Sequence, residues 1–142
     1  MTTATARPPT VLCVDDNPLI ADALRRTFAR AGGWSWLGWL PEAGGLLEAA
    51  RADPPAVVIL DLDMPGADPF EVLARMTAEF PGTRTVVFTG HVRCDLVDRA
   101  VAAGAWGYVS KNDGEGALTG AVAAVLRGEF AISPEVRMAI GF

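Results

Sequence analysis

What most constrains this chain is an alternation repeated five times: a short apolar run, then a stretch with helical periodicity. The runs are TVLCV (10–14), WSWLGWL (34–40), AVVIL (56–60), TRTVVFT (83–89) and WGYVS (106–110). Residues 18–32 place Leu19, Ala23, Leu24, Phe28 and Ala31 on one stripe and close on Gly32-Gly33, the pattern of a helix with its stop signal. A weaker helix is expected over 42–52, another over roughly 69–79 with Asp68 as its cap, then 93–103 ending at Gly104 and 115–128 ending at Gly128. The run at 56–60 lacks polar alternation, as a strand covered on both faces should. Strands separated by helices imply right-handed crossovers, and hence a parallel sheet between two helix layers.

At 142 residues the chain is the size of one globular domain, and 51% apolar with 20% charged residues fits a folded protein. No apolar stretch approaches the roughly 20 residues that cross a bilayer, and MTTATARPPT at the start lacks the apolar core of a secretory signal. Residues 1–8 are expected to be a flexible tail and 129–142 a C-terminal tail or the start of a linker. Cys13 and Cys94 lie far apart without a CxxC pair, so no zinc site or disulfide framework is indicated, and a reducing, cytoplasmic setting is expected. Cys13 reads as a core residue and Cys94 as a helix-start residue. A net charge of −5 without a basic cluster argues against direct contact with nucleic acid.

In parallel α/β folds, ligands gather where strands end at their carboxyl edge. Here the first strand ends in Asp15-Asp16, the third in Asp61, the fourth in Thr89 and the fifth in Ser110-Lys111. Three carboxylates drawn together repel one another, and a hard dication such as Mg²⁺, which takes carboxylate, water and phosphate oxygens, offsets that repulsion. The chain has eleven arginines and a single lysine, Lys111. An ammonium is a compact point charge suited to a phosphate in a tight site. The grouping points to phosphate chemistry.

CVDDNP (13–18), ILDLDMPG (59–66), VVFTGH (86–91) and GYVSK (107–111) resemble, in order and spacing, the four signatures of response-regulator receiver domains. The likeness covers residues 9–128. It implies the doubly wound, five-stranded, three-layer α/β/α fold of CheY-like proteins, strand order 2-1-3-4-5, acting as a phosphorylation switch rather than a conventional enzyme. Asp61 would accept a phosphoryl group from a sensor histidine kinase or phosphotransfer protein. Asp15, Asp16 and Asp61 would serve Mg²⁺, with Asp15 acting through water, Mn²⁺ able to substitute, and the backbone carbonyl of Asp63 completing the site. Lys111 and Thr89 would contact the phosphoryl group, and Tyr108 would be the aromatic switch that reshapes the surface offered to an output protein. A homodimer through the first and fifth or the fourth and fifth elements is left open by the resemblance.

Several residues depart from the family pattern or stand beside it. Asn112 follows Lys111 where such receivers usually have proline, so a trans bond and a somewhat different loop are expected. KND followed by AVAAVLRGEFAISPEV is similar to receivers of the NarL/LuxR class, yet the 14 residues after Gly128 are too few for that class's DNA-binding domain, leaving a single-domain regulator or a piece of a longer one. In receivers the positions of Asp63 and His91 influence phosphoryl lifetime, which makes them a candidate tuning pair. Trp34 and Trp36 should share one face of the second strand and Trp39 the other, as core or as a partner-binding patch. Two competing readings are a haloacid-dehalogenase-like phosphatase using the DLD motif and a receiver-like interaction domain that works without phosphate.

Overall fold

The computed structural model describes residues 7–141, so residues 1–6 of the expected tail lie outside the described residues. The strands are β1 (Thr10–Val14), β2 (Ser35–Leu40), β3 (Val57–Leu60), β4 (Arg84–Thr89), β5 (Gly107–Ser110) and β6 (Ala131–Ile132). The helices are α1 (Pro18–Ala31), α2 (Leu46–Ala52), α3 (Pro69–Glu79), α4 (Cys94–Ala102), α5 (Gly114–Leu126) and α6 (Pro134–Ile140). All pairings are parallel, in the order β2-β1-β3-β4-β5-β6.

The sheet separates two apolar layers. On one side Val11, Cys13, Val57, Ile59, Val86, Phe88 and Val109 pack against α1 and α5. On the other, Leu12, Val14, Val58, Leu60, Val87 and Tyr108 pack against α2, α3 and α4. Successive side chains of each central strand go to opposite layers, and both layers are apolar and buried; this is why β3 carries no polar alternation.

Three details depart from the sequence expectations. The sheet has six strands rather than five, because residues after α5 return to pair Gly107 with Ala131 and Tyr108 with Ile132. Residues 129–142, expected to trail away, therefore include β6 and α6, and Val136 of α6 is fully buried in the same layer as Tyr108. A sequence window sees only two residues of β6, too few for a period-2 signal to register. In α1 the buried stripe is Ala21, Leu24 and Phe28, whereas Leu19 at the first turn and Ala31 at the last are exposed.

The third departure lies in β2. Thr10 and Val11 pair with Ser35 and Trp36, but Leu12, Cys13 and Val14 pair with Gly38, Trp39 and Leu40, so Leu37 is an extra residue and the strand bulges. A bulge reverses the alternation of everything after it. Trp39 consequently sits on the same side as Trp34 and Trp36, facing α1, instead of on the opposite side. Trp34 packs edge-on against Phe28, with ring centroids 5.5 Å apart, and Trp36 lies 6.2 Å from the same ring. These two rings extend the α1 layer to the sheet's edge.

Candidate functional site

The loops leaving β1, β3, β4 and β5 meet at the carboxyl edge. Asn17 caps α1 by accepting the Leu19 N–H at 3.0 Å, and Pro18 occupies the first turn, so the helix starts immediately after the acidic pair. Asp68 does the same for α3 by accepting from Phe70 N at 2.9 Å. Both caps shorten the loops that carry the carboxylates.

Asp15 and Asp61 are 2% and 4% exposed, and Asp16 is exposed. One carboxylate oxygen from each of the three lies within 4.8 Å of the others. Lys111 bridges the two buried ones, with Nζ 2.8 Å from Asp15 Oδ2 and 3.3 Å from Asp61 Oδ2. Burial pushes the Asp61 carboxyl up from its ordinary range; the Lys111 ammonium opposes this and the Asp15 charge adds to it. Burial also pulls on Lys111, but its bond to Asp15 and the charges of Asp61 and Asp15 carry its pKa above the usual value. One ammonium faces three carboxylates, so the pocket keeps a negative excess. All-oxygen donors with such an excess fit a small hard dication.

The remaining residues form a connected set. Asp63 N donates to Asp61 Oδ1 at 3.3 Å, while the Asp63 side chain turns outward and its Oδ2 meets His91 Nε2 at 3.1 Å. Thr89 is fully buried, and its hydroxyl oxygen accepts from His91 N at 3.2 Å. Tyr108 donates its hydroxyl to the His91 carbonyl at 2.6 Å. The ring is fully inside, with its pKa pushed up to about 12 by burial. His91 thus ties the β3, β4 and β5 loops together through three separate atoms.

Beyond Lys111, residues Lys111–Asp113 form a 3-10 turn, and no cis bond occurs among the described residues. Ser110 Oγ accepts from Asn112 N at 3.1 Å, Ser110 N donates to Ser133 Oγ at 2.9 Å, and Glu135 N donates to Asp113 Oδ2 at 2.9 Å. Asn112, standing where proline is usual, reaches Glu135 Oε1 at 3.3 Å. The Lys111 loop is therefore held by β6 and α6. Cys13, within the core, has its thiol pushed up to about 12 by burial, and Cys94 donates to the Ala139 carbonyl at 3.1 Å.

Of the residues singled out at the strand ends, Asp15, Asp16, Asp61 and Lys111 come together in one pocket, Thr89 joins them through His91 and Asp63, and Ser110 holds the Lys111 loop. Missed were Ser133, which holds the Ser110 amide, and Trp39, whose indole N–H donates to the Asp15 carbonyl at 2.6 Å. The available signal for Trp39 was Gly38, since a glycine inside a strand often marks a bulge.

Residues 11–123 match the family described as the response regulator receiver domain. The chain is 31% identical over 122 residues to a probable transcriptional regulatory protein, SgaR, of Hyphomicrobium methylovorum, covering 86% of this chain and 58% of that protein. It is 36% identical over 118 residues to a putative transcriptional regulator of Pseudomonas aeruginosa, covering 83% and 56%. It thus spans just over half the length of these curated relatives. A two-component response regulator of the LuxR family from Aurantimonas sp. SI85-9A1 superposes with a TM-score of 0.88 at 29% identity, covering 94% of this chain and 95% of that one. The isolated REC domain of RcsB from Salmonella enterica serovar Typhimurium, solved with the phosphomimetic BeF3−, shares the fold, with a TM-score of 0.85 at 21% identity over 93% and 98%.

Proposed function

This chain belongs to the response-regulator receiver family, and from that premise we propose that it is a two-component switch whose phospho-acceptor is Asp61. The observation that carries the reading is the Lys111 bridge: a lone ammonium 2.8 Å from Asp15 and 3.3 Å from Asp61, inside a pocket of three carboxylates. The donor is a phosphohistidine on a sensor kinase or phosphotransfer protein. An Asp61 oxygen attacks phosphorus as the P–N bond breaks, and the released imidazole nitrogen takes up a proton from water.

Each residue has a task that its surroundings support. Asp15 and Asp16, with the Asp63 carbonyl, are the residues that would hold Mg²⁺ or Mn²⁺, and that ion supplies charge neutralisation for the phosphoryl oxygens. Lys111, already beside Asp61, transfers its hydrogen bond from carboxylate to phosphoryl oxygen. No general base is needed, because a carboxylate is already the nucleophile. Thr89 keeps its hydroxyl proton available for the phosphoryl group, since among the described residues its oxygen serves only as acceptor for His91 N.

The switch follows from the same bonds. When Thr89 turns towards the phosphoryl group, the His91 N–H bonded to it is drawn along, and the Tyr108 hydroxyl is attached to the same residue through its carbonyl, one peptide further on. Tyr108 already lies inside, so phosphorylation acts by strengthening or releasing this inward arrangement, a population shift rather than a new pocket. The His91–Asp63 contact crosses the pocket's mouth, which supports a role for this pair in phosphoryl lifetime.

The site lies in a cytoplasmic chain in this reading, and no described helix is long and apolar enough to cross a membrane. Output through a DNA-binding domain outside the described residues is part of the proposal, in keeping with relatives that are named transcriptional regulators. The phosphatase reading finds no support: the family match is to receivers, and the Asp63 carboxylate, 75% exposed, faces His91 rather than sitting as an acid beside Asp61.

Incubation with Mg²⁺ and acetyl phosphate, followed by intact mass, tests the proposal. A single phosphoryl adduct that disappears in Asp61→Asn and persists in Asp63→Asn is expected. Turnover of phosphomonoesters would overturn the switch in favour of an enzyme, and absence of any adduct would favour a phosphate-independent interaction domain.

A further inference from the structure

Trp39 is 40% exposed on an edge strand, yet its indole N–H reaches the buried side of the acidic pocket. Regular alternation would have turned it to the α2 side. The bulge at Leu37-Gly38 turns it instead to the α1 side, opposite Cys13, one residue from the end of β1. Bulges next to functional sites characteristically re-aim a side chain in this way.

The carbonyl that Trp39 holds belongs to the peptide joining Asp15 to Asp16, and the two carboxylates on that peptide are secured very differently. Asp15 is fixed at every polar atom: Oδ1 accepts from Asn17 N at 2.9 Å, Oδ2 from Lys111 at 2.8 Å, and its own N–H donates to the Leu40 carbonyl at 3.1 Å. Asp16 is exposed, and no hydrogen bond to its side chain occurs among the described residues. The backbone it projects from is placed by the peptide before it, and that peptide's plane is held by the indole at 2.6 Å.

We propose that Trp39 is a positioning residue for the acidic pocket: its indole N–H locks the Asp15–Asp16 peptide so that the Asp16 carboxylate stays with Asp15 and Asp61, and cation affinity depends on that bond. The inference rests on the reading of the pocket as a dication site. Partners one step behind a metal ligand typically change affinity by about 10–100-fold when removed. An exposed ligand with no other restraint should fall within that range.

Mn²⁺ is a suitable probe, because the free ion's electron paramagnetic resonance signal reports binding without any activity. Trp39→Phe, which keeps an apolar ring and loses the N–H, should weaken Mn²⁺ binding about tenfold. Trp36→Phe, on the same strand and face but without a bond to the pocket, should leave it unchanged. Replacing Trp39 with 3-benzothienylalanine, whose ring has the shape of indole and no N–H, should behave as Trp39→Phe does, which a merely space-filling role would not produce. Parental affinity in either Trp39 variant, or an equal loss in Trp36→Phe, overturns the proposal. A parent protein that takes up no Mn²⁺ overturns the dication reading itself and this inference with it.

Discussion

The two lateral edges of the sheet reach the same pocket by different means. At the β2 edge the connection is one indole N–H onto the backbone carbonyl of a residue whose amide and carboxylate are already held. At the other edge, where β6 flanks β5, it is a web: Tyr108 to His91, Ser110 to Ser133, Asn112 to Glu135, and Lys111 to two carboxylates. In the proposed site, the first edge holds cation ligands still. The second carries the residues that, in the proposed switch, must change partners. A pocket that both anchors a cation and signals phosphorylation benefits from placing rigidity and exchange on opposite sides.

The sharpest way to break this contrast is Lys111→Ala. Removing the ammonium leaves Asp15 and Asp61 buried and mutually repulsive, and losing one partner of such a group costs about 3 kcal/mol in unfolding free energy. Urea denaturation in EDTA should show that loss, and Mg²⁺ should restore part of it. A change no larger than that of a surface lysine would mean the β5–β6 side is not electrostatically tied to the pocket.

Val136→Ala tests whether α6 belongs to the fold. Val136 is fully buried with Tyr108 and Val97, so truncation should cost about 2 kcal/mol by the same measurement. Tyr108→Phe removes the hydroxyl bond to the His91 carbonyl while keeping the ring. A loss of about 1 kcal/mol is expected, with the acetyl phosphate adduct still forming. If the adduct vanished, Tyr108 would be part of the transfer step rather than of its readout.

The smallest effect is a pH dependence. Burial raises the Asp61 pKa in the folded chain, so the folded state retains a proton that the unfolded chain has released, and stability falls as pH rises through the carboxylate range. Asp61→Asn removes that slope. In EDTA at neutral pH the variant should melt a few degrees above the parent, the gap closing on acidification below the ordinary aspartate range. An unchanged gap at all pH values would assign the effect to packing instead of charge.

Much of this protein was legible before its structure. Central strands such as AVVIL announce themselves because burial on both faces removes every polar position, and the helices because capping residues and glycines bracket a periodic stripe. The family and fold inferred from four linked motifs are those the comparisons show. The sheet's ends were harder to read. Two residues of β6 carry no periodicity, and the Leu19 position on the α1 stripe was misjudged because the first turn of a helix need not face the core. The parity of β2 failed for a more general reason: alternation counts residues, and a bulge adds one without leaving more than a glycine as its mark.

The chain's order of apolar runs, its caps and the polar residues closing each run were enough to determine which carboxylates and which lysine would share one edge of a parallel sheet. Such information is local, written in periodicity of 2.0 or 3.6 and in the residue that ends each period. Which atoms bind which was decided only in three dimensions. Trp39 touching Asp15, Tyr108 reaching His91 and α6 closing over β5 each depend on register, a bulge or a returning strand, and no sequence window contains both partners of any of these contacts.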